Sequence, residues 1–302
     1  MDKLNILSIN AHPHDFTHMA ATLGIHRERS DNVTVVSVTA GLNTHNEKLH
    51  DELMKPFNER DPEILNQDYK ELEKIKKLEL RKACSIFGIS DVRVLDYPQP
   101  FRLAMYNDVI EDISSIILET RPHILIMQSP YSKGHHGRIG VSADDHIETA
   151  RATLEAKEAA AIPGDNQKTP HTIPIIIYPG VYFNNDDIDF IVDISDWFEK
   201  RVEAEALYIS QGHSPEWSRR RLLVSLGNTG WFSNTLYGEA FVREKPELVN
   251  AIPFSSLTLN RFEESVSAKY KRNENFFKIL FYSILFGFAS VSYTHLTLPT
   301  KA

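Results

Sequence analysis

Short runs rich in Val, Ile and Leu alternate along the chain with longer stretches whose apolar residues recur every three to four positions. The short runs, Leu4 to Ile9, Val33 to Val38, Val92 to Leu95, Ile124 to Gln128 and Ile173 to Tyr178, have the length and the Val and Ile content of strands. Between them, helices are predicted at roughly Thr17 to Glu28, Tyr69 to Phe87, Tyr106 to Glu119 and Ala143 to Ala160. In the second of these, Leu72, Ile75, Leu78, Leu80, Ala83 and Ile86 form one apolar face, and Gly88 supplies the stop. Strands alternating with helices of this length predict βαβ units: an α/β fold with a mostly parallel sheet and helices on both faces.

Two regions break the rhythm. Asn43 to Gln67 is polar, carries Pro56 and Pro62, and reads as a long insertion in the second βα unit. Beyond Gly180 the pattern predicts a strand at Ile188 to Ile194, helices at Trp197 to Tyr208 and Trp217 to Leu226, and a further strand at Tyr237 to Val242. Residues 1–275 are expected to form one domain. Residues 276–290 are apolar apart from Lys278 and shorter than the roughly 20 residues of a membrane-spanning helix. The last stretch, VSYTHLTLPT from Val291 to Thr300, resembles the conceptual translation of a sequencing-library adapter, so residues 291–302 are set apart from fold and function.

Charge narrows the function classes. A net charge of -8 argues against a nucleic-acid face, which needs clustered Lys and Arg, and the short run Arg219 to Arg221 reads as a solvated helix face. Cys84 is the single cysteine, which excludes an intrachain disulfide and fits a reducing compartment. The start, MDKLNILSINAH, is too short and polar for a signal segment, so a cytoplasmic protein is expected. No G-x-G-x-x-G fingerprint is present, which removes the simplest dinucleotide-binding reading.

Ligands of such sheets collect at the carboxyl ends of the strands. His12 to Asp15 follows the first strand and Gly134 to His146 follows the fourth, so two His/Asp clusters should emerge on one edge. Catalytic zinc typically takes three His or Asp ligands and keeps an open position. His12, Asp15 and His146 would make such a set. The pair His12 and His14 also spells the H-x-H of amidohydrolase-type barrels, but about five strand-helix units are visible where eight are required.

The stretch AHPHD, Ala11 to Asp15, resembles the AHPDD motif of the PIG-L/LmbE family of zinc-dependent N-acetylglucosaminyl deacetylases. The resemblance continues through NVTVVSVTAG (Asn32 to Gly41), LELRKACSIFGISDVRVLDYP (Leu78 to Pro98), RPHILIMQSP (Arg121 to Pro130) and DDHIETA (Asp144 to Ala150). It implies a Rossmann-like fold, Zn²⁺ or another divalent metal on His12, Asp15 and His146, and hydrolysis of the acetamide of an N-acetylated sugar or glycoconjugate. Such a metal polarises the carbonyl and acidifies water, while a neighbouring base handles the proton.

Two positions depart from the family pattern: His14 stands where the family keeps its catalytic aspartate, and Ala143 where a supporting histidine is common. His14 is therefore expected to act as the proton shuttle, since imidazole titrates near neutrality. His135 or His136 is expected to take over the electrostatic role lost at Ala143. Asp145 has two compatible readings, orienting a metal-bound imidazole and offsetting the helix dipole. Arg138, His135, His136 and Tyr182 are candidates to touch substrate. Trp197 and Trp231 read first as packing residues, and otherwise as stacking platforms for a sugar ring. The alternative function is a catalytically impaired homologue that keeps the metal or sugar pocket. The expected partner is a small N-acetyl sugar or conjugate, with no nucleic acid and no membrane contact; the sequence leaves oligomeric state open.

Overall fold

The computed structural model describes residues 3–44, 46–131, 144–164, 169–264 and 267. The chain divides into two units, Met1–Pro246 and Glu247–Ala302. In the second, the described residues hold a single helix, Ser256–Glu263, capped by the Ser255 hydroxyl.

The first unit is built on a seven-stranded sheet of β1 (Asn5–Asn10), β2 (Asn32–Thr39), β3 (Asp91–Tyr97), β4 (Ile124–Met127), β5 (Ile175–Pro179), β6 (Phe190–Asp193) and β7 (Gly238–Arg243). Their order is β3-β2-β1-β4-β5-β7-β6, the first five parallel and β7 antiparallel to both its neighbours. The predicted mostly parallel sheet is thus observed, and the irregular pattern beyond Gly180 is its antiparallel end. The helices are α1 (Ala20–Glu28), α2 (Glu47–Met54), α3 (Pro62–Leu65), α4 (Tyr69–Ile86), α5 (Val109–Thr120), α6 (Asp145–Ala161), α7 (Phe198–Ala206) and α8 (Pro215–Phe232).

Central strands are buried on both faces, which is why they read as continuous apolar runs. Leu7 and Ile9 of β1, Val36 and Val38 of β2, and Leu125 and Met127 of β4 pack against Ile113 and Ile117 of α5 and Ala152 and Ala156 of α6. On the opposite side Phe87, at the end of α4, stacks on Trp197 at 6.1 Å. Gly24 of α1 lets that pair approach, because a Cβ there would lie 2.6 Å from both rings. Trp197 is therefore a packing residue.

The insertion after β2 is not a plain loop. Asn46 accepts from the Leu49 amide at the start of α2, and Asp61 accepts from the Glu63 amide at the start of α3. The apolar side chains Leu53, Met54 and Phe57 remain exposed there, so helical periodicity was not written in buried positions. In a sheet ordered 3-2-1-4, successive connections leave β1 and β4 to opposite sides, and a crevice opens between the carboxyl ends of those two strands.

Candidate functional site

That crevice is bounded by the turn after β1 and the start of α6. The chain leaves β1 through Ala11, whose carbonyl accepts from both the amide and the hydroxyl of Thr39, and enters a 3-10 turn, Pro13–His18. Three residues per turn eclipse side chains at i and i+3, so His12, Asp15 and His18 follow one side while His14 and Thr17 follow another. The Asp15 Oδ2 accepts from the His12 amide at 2.9 Å and from Gln128 Nε2, just past β4, at 3.0 Å.

The first turn of α6 brings His146 to the same point. Its Nε2 lies 3.4 Å from Asp15 Oδ1, and its ring stands 4.8 Å from that of His12 at 90°. His12 Nδ1 is 3.7 Å from Asp15 Oδ2. One donor atom from each of His12, Asp15 and His146 lies within 4.8 Å of the others.

Each imidazole is held from behind by a carboxylate. Asp145 Oδ2 is 3.1 Å from His12 Nε2, and Asp144 Oδ1 is 2.7 Å from His146 Nδ1. An ionised carboxylate at one ring nitrogen places the proton there and leaves the lone pair on the nitrogen facing inward. Asp145 also accepts from Gln99 Nε2, the Phe101 amide and Arg102 Nη1 at 2.8, 2.9 and 3.0 Å. Asp144 doubles as the N-cap of α6, accepting from the His146 amide.

The charges follow from this arrangement. Burial works to raise the Asp15 pKa, but the imidazoles of His146 and His12 outweigh it and hold the carboxyl well below its usual range. Burial likewise works to lower His146, and Asp15 and Asp144 outweigh it, pushing the imidazole up to about 10. At Asp145, burial is overcome by the bonds from His12 and Gln99, and the pKa falls to about 2. Two inward imidazole nitrogens and an ionised oxygen fit a divalent cation, and three protein donors leave room for further ligands.

His14 faces a different neighbourhood. Its Nε2 lies 2.9 Å from Glu205 Oε1 of α7, and its ring is edge-on to Tyr208 and His213 at 5.0 Å each. His14, Glu205 and His213 form a second group of metal-ligand type. Glu205, however, already accepts from Arg201 Nη1 at 2.8 Å and from Arg221 Nη1, so two guanidiniums supply the positive charge that a cation would. Burial raises the Glu205 pKa, but His14 and Arg201 override this and keep it well below the ordinary value. The Tyr208 hydroxyl donates to the Pro13 carbonyl at 2.9 Å, tying the same turn to the chain after α7.

The structure thus brings His12, Asp15 and His146 together, and gives Asp145 to His12 and not to its neighbour His146. Tyr182, after β5, is buried with its ring 6.0 Å from His146. His135, His136, Arg138 and Ala143 lie outside the described residues. Arg221 is not the solvated residue its run suggests, since it reaches a fully buried carboxylate. Sequence reasoning missed Gln99, Gln128 and Glu205; Asp144 was in view within DDH but without a role.

Comparison with known proteins agrees with this architecture. The N,N'-diacetylchitobiose deacetylase of Pyrococcus horikoshii superposes with a TM-score of 0.63 at 22% identity, covering 85% of this chain and 89% of that one. The 4-carboxy-2-hydroxymuconate hydratase of Pseudomonas putida KT2440 also superposes at 0.63, with 17% identity, 84% of this chain and 100% of that one. Two chemistries on one scaffold mean that these likenesses establish the fold alone. A curated relative, the 1D-myo-inositol 2-acetamido-2-deoxy-alpha-D-glucopyranoside deacetylase of Thermomonospora curvata, is 26% identical over 183 residues, 55% of this chain and 56% of the relative. The chain therefore spans about half the length of that relative. The profile of the family described as PIG-L: GlcNAc-PI de-N-acetylase matches residues 7–157, half the chain, from β1 through most of α6, and the chain belongs to this family.

Proposed function

We propose that this protein hydrolyses the acetamide of an N-acetylated sugar or sugar conjugate at a divalent metal, zinc in the first instance, held by His12, Asp15 and His146. The observation that carries the reading is the convergence of those three donors with a carboxylate behind each imidazole. Family membership and the relative's printed activity support the same reaction class.

A bound cation would supply Lewis-acid polarisation of the amide carbonyl and a more acidic water. The chain's own residues do the rest. Asp145 accepts four hydrogen bonds and stays ionised, so it orients His12 and does not shuttle protons. Ionised Glu205 accepts a hydrogen bond, so a neutral His14 facing it donates from Nε2–H and carries its ring lone pair on Nδ1. That nitrogen is the atom from which His14 would accept and return a proton.

The engagement of His14 by Glu205 equally favours a second reading, in which the pocket is kept and turnover is impaired. One experiment separates them: acetate release from a panel of N-acetyl sugars by the zinc-loaded protein, its His14→Ala variant and its His14→Asp variant. Turnover that falls at least tenfold in His14→Ala supports the shuttle. Unchanged turnover in that variant removes His14 from the mechanism, and no acetate from wild type with restored release in His14→Asp identifies the impaired homologue.

A further inference from the structure

Gly41, just past β2, takes a left-handed φ of 72° and lies against the turn after β1, where an added Cβ would stand 3.2 Å from Pro13 Cδ and 3.7 Å from His12 Cβ. Strands β2 and β3 are parallel neighbours, so the segments leaving their carboxyl ends run side by side, and Asn43 and Thr44 meet Gln99. Asn43 fastens Gln99 twice: its amide donates to Gln99 Oε1 at 2.9 Å and its Nδ2 donates to the Gln99 carbonyl at 3.1 Å. A backbone N–H on Oε1 settles the polarity of the Gln99 side-chain amide, and both protons of Nε2 are free to point elsewhere.

Those two protons go toward the candidate metal centre. Gln99 Nε2 donates to Thr44 Oγ1 at 2.6 Å and to Asp145 Oδ2 at 2.8 Å. Both acceptors face one atom, since His12 Nε2 lies 3.1 Å from Asp145 Oδ2 and 3.4 Å from Thr44 Oγ1. The other oxygen of Asp145 is tied by the Phe101 amide and Arg102 Nη1, so Oδ2 is the one that His12 and Gln99 share. An ionised carboxylate only accepts, so a neutral His12 carries its proton on Nε2 and its lone pair on Nδ1, the nitrogen 3.7 Å from Asp15 Oδ2. At the far end stands Lys76 of α4, which is 1% exposed and donates to the Thr44 carbonyl at 3.3 Å. Burial pushes this amine down to about 8 against the pull of Glu79 and Glu47, a cost that lysines rarely carry unless paired. Thr44 is thus gripped at its carbonyl from α4 and at its hydroxyl from the end of β3.

We propose that Gln99 and Thr44 are positioning residues of the candidate metal centre: pinned by Asn43 and Lys76, they form a clasp that holds Asp145 and the Thr44 hydroxyl against His12 Nε2, keeps the ring proton there and turns Nδ1 inward. The clasp acts through Asp145 and His12. Its bearing on metal affinity rests on the reading of His12, Asp15 and His146 as ligands, but the placement of the His12 proton is measured without metal.

The test has two arms, with circular dichroism to verify that every variant is folded. On chelator-treated protein, proton NMR in water reads the His12 imidazole N–H as a downfield resonance, assigned by its absence in His12→Gln. The clasp predicts this resonance in wild type and in Thr44→Ser, which keeps the hydroxyl, and its displacement or loss to exchange in Gln99→Leu and Thr44→Val. In competition between the protein and a chromogenic chelator for zinc, Gln99→Leu and Thr44→Val are expected to weaken affinity about tenfold, and Thr44→Ser to stay within about threefold of wild type. Gln99→Leu should add nothing further in an Asp145→Asn background, because it acts through that carboxylate. A resonance missing from wild type or unmoved by both variants, a zinc affinity that neither changes, or losses from Gln99→Leu and Asp145→Asn that multiply overturns the proposal. Wild type that takes up no zinc overturns the metal reading instead, and the His12 resonance then decides the clasp.

Discussion

At the scale of single residues, the candidate metal centre depends on which nitrogen each imidazole turns inward, and that is decided by Asp145 and Asp144. Asp145→Asn keeps the shape but replaces an ionised acceptor of His12 Nε2. Losses of this kind cost about 10–100-fold in metal affinity; competition titration with a chromogenic chelator should show it, and an unchanged affinity would remove Asp145 from the site. A pH dependence follows from His146. Its imidazole is raised from 6.5 to about 10 by Asp15 and Asp144, so in the metal-free protein it adds stability that is full below about 6.5 and is lost as pH rises through about 10. The melting temperature of chelator-treated wild type should fall across that window relative to its own value at lower pH, and His146→Gln should flatten the fall. Metal uptake near neutrality should release a proton for the same reason. His12, Asp15 and His146 were legible because residue type and strand order suffice to bring them to one edge. The partner of Asp145 was not, because it depends on the direction in which α6 leaves its cap. Nor was Lys76, which is 1% exposed and donates to the Thr44 carbonyl although it falls among polar residues of α4.

At the scale of elements, the turn Pro13–His18 is held from the distant half of the unit by α7 and by Tyr208 shortly after it. Glu205 binds His14, Arg201 and Arg221, and Tyr208 binds the Pro13 carbonyl. Breaking a buried ion pair by removing one partner costs about 3–5 kcal/mol, so Glu205→Ala should shift the urea midpoint strongly downward, and a shift no larger than that of a surface substitution would contradict the network. Helix α8 rests at Gly230 on the connection that leads into β7, where an added Cβ would lie 2.8–2.9 Å from the carbonyl oxygens of Thr235 and Leu236. Overpacking against backbone costs about 1–3 kcal/mol, and Gly230→Ala should show it in the same unfolding measurement. Elements of the parallel half were read almost in full, with ends shifted by a few residues, because buried strands and amphipathic helices carry strong periodic signals. The insertion helices were not, since their side chains face solvent and only their caps mark them. The role of α7 was hidden as well: a glutamate in VEAEAL has the composition of a solvated helix, and only the fold buries it.

At the scale of the whole molecule, the strand order places the opening beside β1 and β4, and a second cavity lies under α8 at the antiparallel end. A metal bound by the folded state alone stabilises it by mass action, about 2.7 kcal/mol at a hundredfold excess over Kd. Zinc should therefore raise the melting temperature of wild type by more than it raises that of His146→Ala. The family match covers residues 7–157 and ends inside α6, whereas α7 and α8 lie in the part of this chain beyond it. The most direct test of the central claim is X-ray absorption at the zinc edge of the zinc-loaded protein. The account predicts a shell of nitrogen and oxygen only, with the outer-shell scattering of two imidazoles, falling to one in His146→Ala; a metal that does not bind, or a spectrum unchanged by His146→Ala, would contradict it.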